Sequence, residues 1–168
     1  RGSWIYSRLP ERITLPVGSY TLKVASGEVA DAAWDAPCYG TERTFIIEKD
    51  RTTALGALTC SLMNIMVSVS YDDKLFSMLS DDSKVVITIG KGELTFTKGE
   101  THIGYFKADA ENTLTAEFSG KIDGEYYAET DVIDNIKAGQ HQKLKYSVKE
   151  NPQPDTPEGG ADFKFSID

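Results

Sequence analysis

Short runs of alternating apolar and polar residues, closed by turn residues about every ten positions, constrain this chain more than any other feature. LPVGSYTLKVASG holds a run at residues 20–25 with Pro16 and Gly18 ahead of it and Ser26-Gly27 behind it. RTFIIE follows at residues 43–48, a Lys-Asp-Arg turn comes next, and TTALGALTCSL fills residues 52–62. In NIMVSVSY, Ile65, Val67 and Val69 fall on one face, and Met66, Ser68 and Ser70 on the other. KVVITIG and ELTFT meet at Gly90-Lys91-Gly92, which predicts a short hairpin. HIGYFKA, TLTAEFSG, EYYAETDVI and KLKYSV complete the series. Side chains on a strand alternate with a period of two, so each run has one face suited to a core. In residues 52–62 the alternation lapses at Ala54, Ala57 and Cys60, and Gly56 predicts a bulge or close approach within that strand.

One segment has helical spacing. In DDKLFSMLSDD, Leu75, Phe76, Met78 and Leu79 recur within single turns, and Asp72 is placed to cap the start. Flanked by strands, it predicts a short crossover helix. The expected fold class is therefore all-β: two tandem small sandwiches, Ig-like or transthyretin-like, with one short crossover helix. A faint internal echo, SYTLKVASG against NTLTAEFSG, supports a division into residues 1–70 and 71–150, meeting near Tyr71. Past Val148, KENPQPDTPEGGAD has the proline, glycine and acid content of a linker. The chain then reaches FKFSID, in which Phe163, Phe165 and Ile167 share one face. Residues 151–168 are expected to be a linker followed by a strand that docks on a sheet edge, in this chain or in another.

Charge narrows the function classes. Eighteen basic residues are scattered among 26 acidic ones, giving −8. Nucleic-acid binding needs clustered Lys and Arg to neutralise phosphates, and no such stripe exists. No apolar run is long enough to span a bilayer. The opening RGSWIYSRLPERI lacks the apolar centre of a signal peptide, so an exported protein is expected to have lost its targeting segment upstream of this chain.

Two cysteines and two histidines, with no Cys-x-x-Cys spacing, do not form a zinc pattern. Cys38 and Cys60 are read either as free thiols or as a disulfide, which would suit an oxidising compartment. Acidic doublets at Asp72-Asp73 and Asp81-Asp82 lack the alternating ligands and turn glycine of a calcium loop. No G-x-S-x-G, H-E-x-x-H or glycine-rich phosphate loop is present. No catalytic residue, metal or cofactor is expected.

The loop WDAPCYG offers the clearest candidate binding group, Trp34, Asp35 and Tyr39. Exposed rings stack on sugars, and a carboxylate accepts from hydroxyl groups. The competing reading, that Trp34 and Tyr39 plug the end of a sandwich, is favoured because aromatics bury large areas and usually serve cores.

In order along the chain, LPVGSYTLKVASG, WDAPCYG, TFIIEKDRTTALGALTCSLMNIMVSVSYDD, LFSMLSDDSKVVITIGKGELTF, GYFKA and FKFSID resemble a domain-of-unknown-function family of Bacteroidales surface proteins, from Ile13 onward. LP-x-G-x-Y is also similar to the prealbumin-like repeats of Gram-positive adhesins. The first resemblance implies an exported lipoprotein at the outer membrane, related in architecture to fimbrial subunits, with no catalytic residues to carry over. The expected role is a non-catalytic structural or adhesive module at the cell surface, fimbrillin-like. The alternative is a glycan- or host-protein-binding domain using the aromatic loop. Expected partners are other surface or fimbrial subunits, or a host or dietary glycan or protein. The membrane is met only through an anchor outside this chain.

Overall fold

The computed structural model of the protein describes residues 2–148. It is all-β and sandwich-like, as the alternation predicts. The elements in order are β1 (Gly18–Ala25), β2 (Ala32–Trp34), β3 (Tyr39–Ile47), β4 (Ser61–Leu62), β5 (Asn64–Tyr71), α1 (Asp73–Met78), β6 (Lys84–Ile89), β7 (Gly92–Thr97), β8 (Gly104–Lys107), β9 (Leu114–Ile122), β10 (Glu125–Ile133) and β11 (His141–Tyr146). They form three sheets, ordered β1-β3-β4, β10-β9-β6-β7 and β11-β5-β8-β2.

The two four-stranded sheets are the layers of the sandwich. Val85, Ile87 and Ile89 of β6, with Leu114, Ala116 and Phe118 of β9, face Ile65 and Val67 of β5, Phe106 of β8 and Leu144 of β11 in one buried cluster. Burying each large apolar side chain contributes about 1.5–3 kcal/mol, which makes this cluster the main source of stability. Between β9 and β10 the chain reverses in two residues. Asp123 and Gly124 have φ of 50° and 87°, the left-handed pair that an Asp-Gly hairpin turn requires. Gly92 is needed for a different reason: a Cβ there would sit 2.1 Å from the carbonyl oxygen of Asp31, where β7 approaches the start of β2.

Helix α1 carries the chain from one layer to the other. The Leu75 N–H donates to Asp72 Oδ1 at 2.6 Å, the expected cap. Leu75 and Leu79 are buried. Phe76 points outward instead, and Lys98 Nζ lies 4.9 Å from its ring centroid. Beyond the helix Leu79 bridges Ile122 of β9.

Two expectations are corrected. The division at residues 70 and 71 does not separate two cores. Strand β5 ends at Tyr71, yet its neighbours in the sheet are β8 and, in parallel register, β11. Alternation shows which side chains face inward, but not which strand lies alongside. The expected strand at residues 52–62 is irregular through residue 60, and only Ser61 and Leu62 pair, with Gly40 and Tyr39. Side chains hold that loop instead: Thr53 Oγ1 donates to the Ile46 carbonyl at 2.9 Å, and the Arg43 guanidinium donates to that of Leu55.

The small sheet β1-β3-β4 is interleaved with the sandwich along the chain: β1 precedes β2, while β3 and β4 lie between β2 and β5. The chain leaves β2, runs out along β3, and returns through β4 into β5. At the junction the Cys38 N–H donates to the buried Asn64 Oδ1 at 2.6 Å, and the Met63 N–H to the Cys38 carbonyl at 2.8 Å. Along β1 every second residue is half-buried and the rest are exposed, so this sheet has only a shallow apolar face.

Candidate functional site

A group of three ionisable side chains, Glu100, His102 and Asp35, forms where the turn after β7 meets the end of β2. In that turn Glu100 folds back on the two residues that follow it. Its Oε1 accepts from the N–H groups of Thr101 at 2.8 Å and His102 at 3.0 Å, and meets His102 Nδ1 at 2.6 Å. Asp35 faces it from the other strand. Its φ is 46°, its Oδ1 accepts from the Ile103 N–H at 3.1 Å, and its Oδ2 lies 3.7 Å from His102 Nε2. An imidazole is thus held between two carboxylates.

Each partner changes the proton affinity of the other. The hydrogen bond to Glu100, then its charge and that of Asp35, raise the His102 pKa. The same contacts, led by the His102 backbone N–H, lower that of Glu100. His141 behaves oppositely, lowered by burial first and then by the charge of Lys143. Two imidazole titrations followed by NMR are therefore expected to separate, His102 above and His141 below the ordinary value near about 6.5. Glu100→Gln should bring His102 back towards it, and coincident titrations would refute this account. The signs for stability follow. Protonated His102 favours the fold at low pH, and that contribution is lost as pH rises through its raised pKa. His141 favours the fold above the ordinary value, and its contribution is lost as pH falls through its lowered pKa.

Beside this group lies a cleft of about 340 Å³, lined among others by Ser68, Ser70, Tyr71, Phe76, Glu100 and His102. Ser68 Oγ is 3.0 Å from His141 Nε2. A serine nucleophile needs a base whose imidazolium is stabilised from behind. No carboxylate is hydrogen-bonded to the His141 ring among the described residues, and Lys143 opposes the imidazolium. A second, smaller recess of about 220 Å³ is walled by Asp31, Lys91, Lys107 and Asp109 around Ile89. No three His, Cys, Asp or Glu side chains converge as a metal site would need among the described residues.

The three candidate loop residues are dispersed. Trp34, half-buried at the end of β2, stands edge-on to Phe96 at 4.7 Å between centroids and 72° between planes. Its ring is also 6.3 Å from that of His102. Asp35 serves the turn just described. Tyr39 opens β3 in the other sheet and is 46% exposed. Cys38 and Cys60 are both free thiols, so the disulfide reading does not hold. Tyr39 pairs with Leu62 and Gly40 with Ser61. Continuing that register puts Cys60 opposite Thr41, three places from Cys38, about 10 Å along the strand and on the other face. Cys38 Sγ instead contacts the Gly27 carbonyl at 3.3 Å. Phe163, Phe165 and Ile167 lie outside the described residues.

Reading the residues alone passed over Glu100, although an acid two places before one of only two histidines was a usable signal. It also passed over Asn64, a buried amide that accepts from the distant Cys38 N–H, and Asn112, a buried amide that joins its own turn at Asp109 to Ile136.

Fold and site together define an all-β, sandwich-like protein with an additional small sheet and an acid-flanked histidine at one end. The chain belongs to the family described as a domain of unknown function, DUF4493, whose family model matches residues 1–168. No curated protein matches the chain, and no solved structure matches it.

Proposed function

We propose that the chain is a non-catalytic structural or adhesive module of an exported surface lipoprotein, fimbrillin-like and of the Bacteroidales kind, held at the outer membrane by an anchor outside this sequence. The observation that carries this reading is the amount of large apolar surface left bare on and before the small sheet. Ile5 is 68% exposed, Tyr6 89%, Val17 66% and Ile46 63%. Scattered single apolar residues need no explanation, but a run of them leading into an edge strand suits contact with another protein.

The test is a full-length chain carrying Ile5→Asp, Val17→Asp and Ile46→Asp. It should melt as the wild type does and lose binding to partner subunits, mucin or matrix proteins. Retained binding would sink the contact reading. Protease accessibility on intact cells tests the location separately.

Glycan binding through the aromatic loop receives less support, because the Trp34 ring is engaged by Phe96. Trp34→Ala is expected to cost about 2 kcal/mol in urea unfolding, and Tyr39→Ala less than about 0.5 kcal/mol. A free Trp34→Ala change combined with lost glycan binding would reverse that order of preference.

A further inference from the structure

Strand β5 outlasts one of its neighbours. Its ladder with β8 ends at Val67 and Gly104, while β5 itself runs on to Tyr71. Continuing that register would set His102 opposite Val69 and Glu100 opposite Tyr71. On its other side β5 stays paired with β11 as far as Tyr71. There the Met66 N–H donates to the Gln140 carbonyl and the Asp72 N–H to that of Tyr146, so the even-numbered residues turn their main chain to β11. Successive residues of a strand present their main-chain groups to opposite sides, and Val69 and Tyr71 therefore turn theirs to the side that β8 has left. Among the described residues, no main-chain bond from either crosses to residues 99–102. The cleft of about 340 Å³ lies in that gap.

Glu100 explains why the ladder stops. The His102 N–H that would continue it donates instead to Glu100 Oε1, which also takes the Thr101 N–H and meets His102 Nδ1. All three contacts fall on Oε1, and Oε2 has no hydrogen-bond partner among the described residues. The Glu100 side chain is only 22% exposed, and it is the one carboxylate among the residues lining the cleft.

These features select one kind of occupant. Main-chain donors and acceptors two residues apart, about 7 Å along the strand, match an extended peptide. The gap is closed at Val67, where Gly104 holds the next position, so a peptide entering it has to end there. Beside a carboxylate with a free oxygen, an amino terminus suits that end and a carboxyl terminus does not.

We infer that the cleft takes the amino-terminal end of an extended peptide, which pairs with Val69 and Tyr71 and sets its ammonium group on Glu100 Oε2. The peptide runs parallel to β5, with room for about three residues before that strand ends. This contact is separate from the one proposed for the small sheet and uses none of its residues.

Amide exchange on the wild-type full chain tests the edge. Val69 and Tyr71 should exchange at least about tenfold faster than Ser68 and Ser70, which face β11. Slow exchange at Val69 and Tyr71 in the free chain would overturn the inference, because the edge would already be covered. The ligand is tested with a pool of tetrapeptide amides, randomised in side chain, with free amino termini. NMR should show saturable shifts at the Val69, Tyr71 and His102 amides, with half-saturation at about 1 mM or below. The same pool acetylated at its amino termini should bind about tenfold more weakly, since it lacks the charge-assisted bond. Glu100→Gln keeps an acceptor for the two turn amides and should abolish the preference for the free amine. Equal binding of the two pools to the wild type, or no shifts at Val69 and Tyr71, would overturn the inference.

Discussion

Replacing Phe96 with alanine is expected to remove about 3–5 kcal/mol of stability, a large share of the roughly 5–15 kcal/mol that a domain of this kind possesses. Phe96 is fully buried and lies opposite Val85 in the β6–β7 pair. Its ring fills the space between the two layers where Gly104 has no side chain. A Cβ at Gly104 would come 3.0 Å from Phe96 Cζ, so the ring lies against a residue that has no side chain with which to fill the vacated volume. The loss therefore combines the transfer free energy of the ring with that of an uncollapsed cavity. It also removes the support on which the Trp34 ring stands. Because the other tryptophan is Trp4, a Trp4→Phe background isolates the Trp34 signal. In that background Phe96→Ala should shift Trp34 emission to the red and lower the urea midpoint. A loss below about 1 kcal/mol would mean that β7 and β2 do not share one core.

The features legible in the sequence are local ones. Asp72 caps α1 because its carboxylate needs only the N–H three residues ahead, and β5 and β10 follow NIMVSVSY and EYYAETDVI residue for residue. The Gly90-Lys91 turn joins β6 to β7 at the expected place. What the residues did not disclose depends on partners distant in sequence. The parallel pairing of β11 with β5 joins segments from the two supposed halves, and no alternation pattern encodes it. Trp34 has the composition of a binding residue, and only the position of Phe96 shows that its edge is engaged. The Glu100 and His102 pair is close in sequence but depends on a turn that lays the carboxylate back across two amides. Residues 52–62 misled for the opposite reason, since the apolar and Thr residues there read as a strand, while the segment is tied down as a loop by Arg43 donating to the Leu55 carbonyl and Thr53 to that of Ile46.

Asn112→Ala is expected to cost about 2–4 kcal/mol, although it removes no apolar surface. Asn112 is buried between two turns and ties them together. Its Oδ1 accepts from the Asp109 N–H at 2.7 Å, and its Nδ2 donates to the carbonyls of Asp109 and Ile136, each at 3.0 Å. The Ile136 N–H returns to the Asn112 carbonyl at 3.3 Å, and the Ile136 side chain is in the core. Alanine leaves three backbone groups without the amide that served them, and little water reaches the site to replace it. Asn112→Asp separates hydrogen bonding from shape. Ionised, the carboxylate still accepts from Asp109 but faces two carbonyl oxygens with no proton to give. That environment favours the neutral acid, so its folded pKa should be raised and stability should fall as pH rises through the range from about 4 to 7. The gap between Asn112→Asp and wild type should therefore narrow as the pH is lowered, while the gap for Asn112→Ala stays constant. Chemical denaturation at several pH values distinguishes the two. Parallel curves for both variants would show that shape, rather than the amide's two donated protons, holds these turns together.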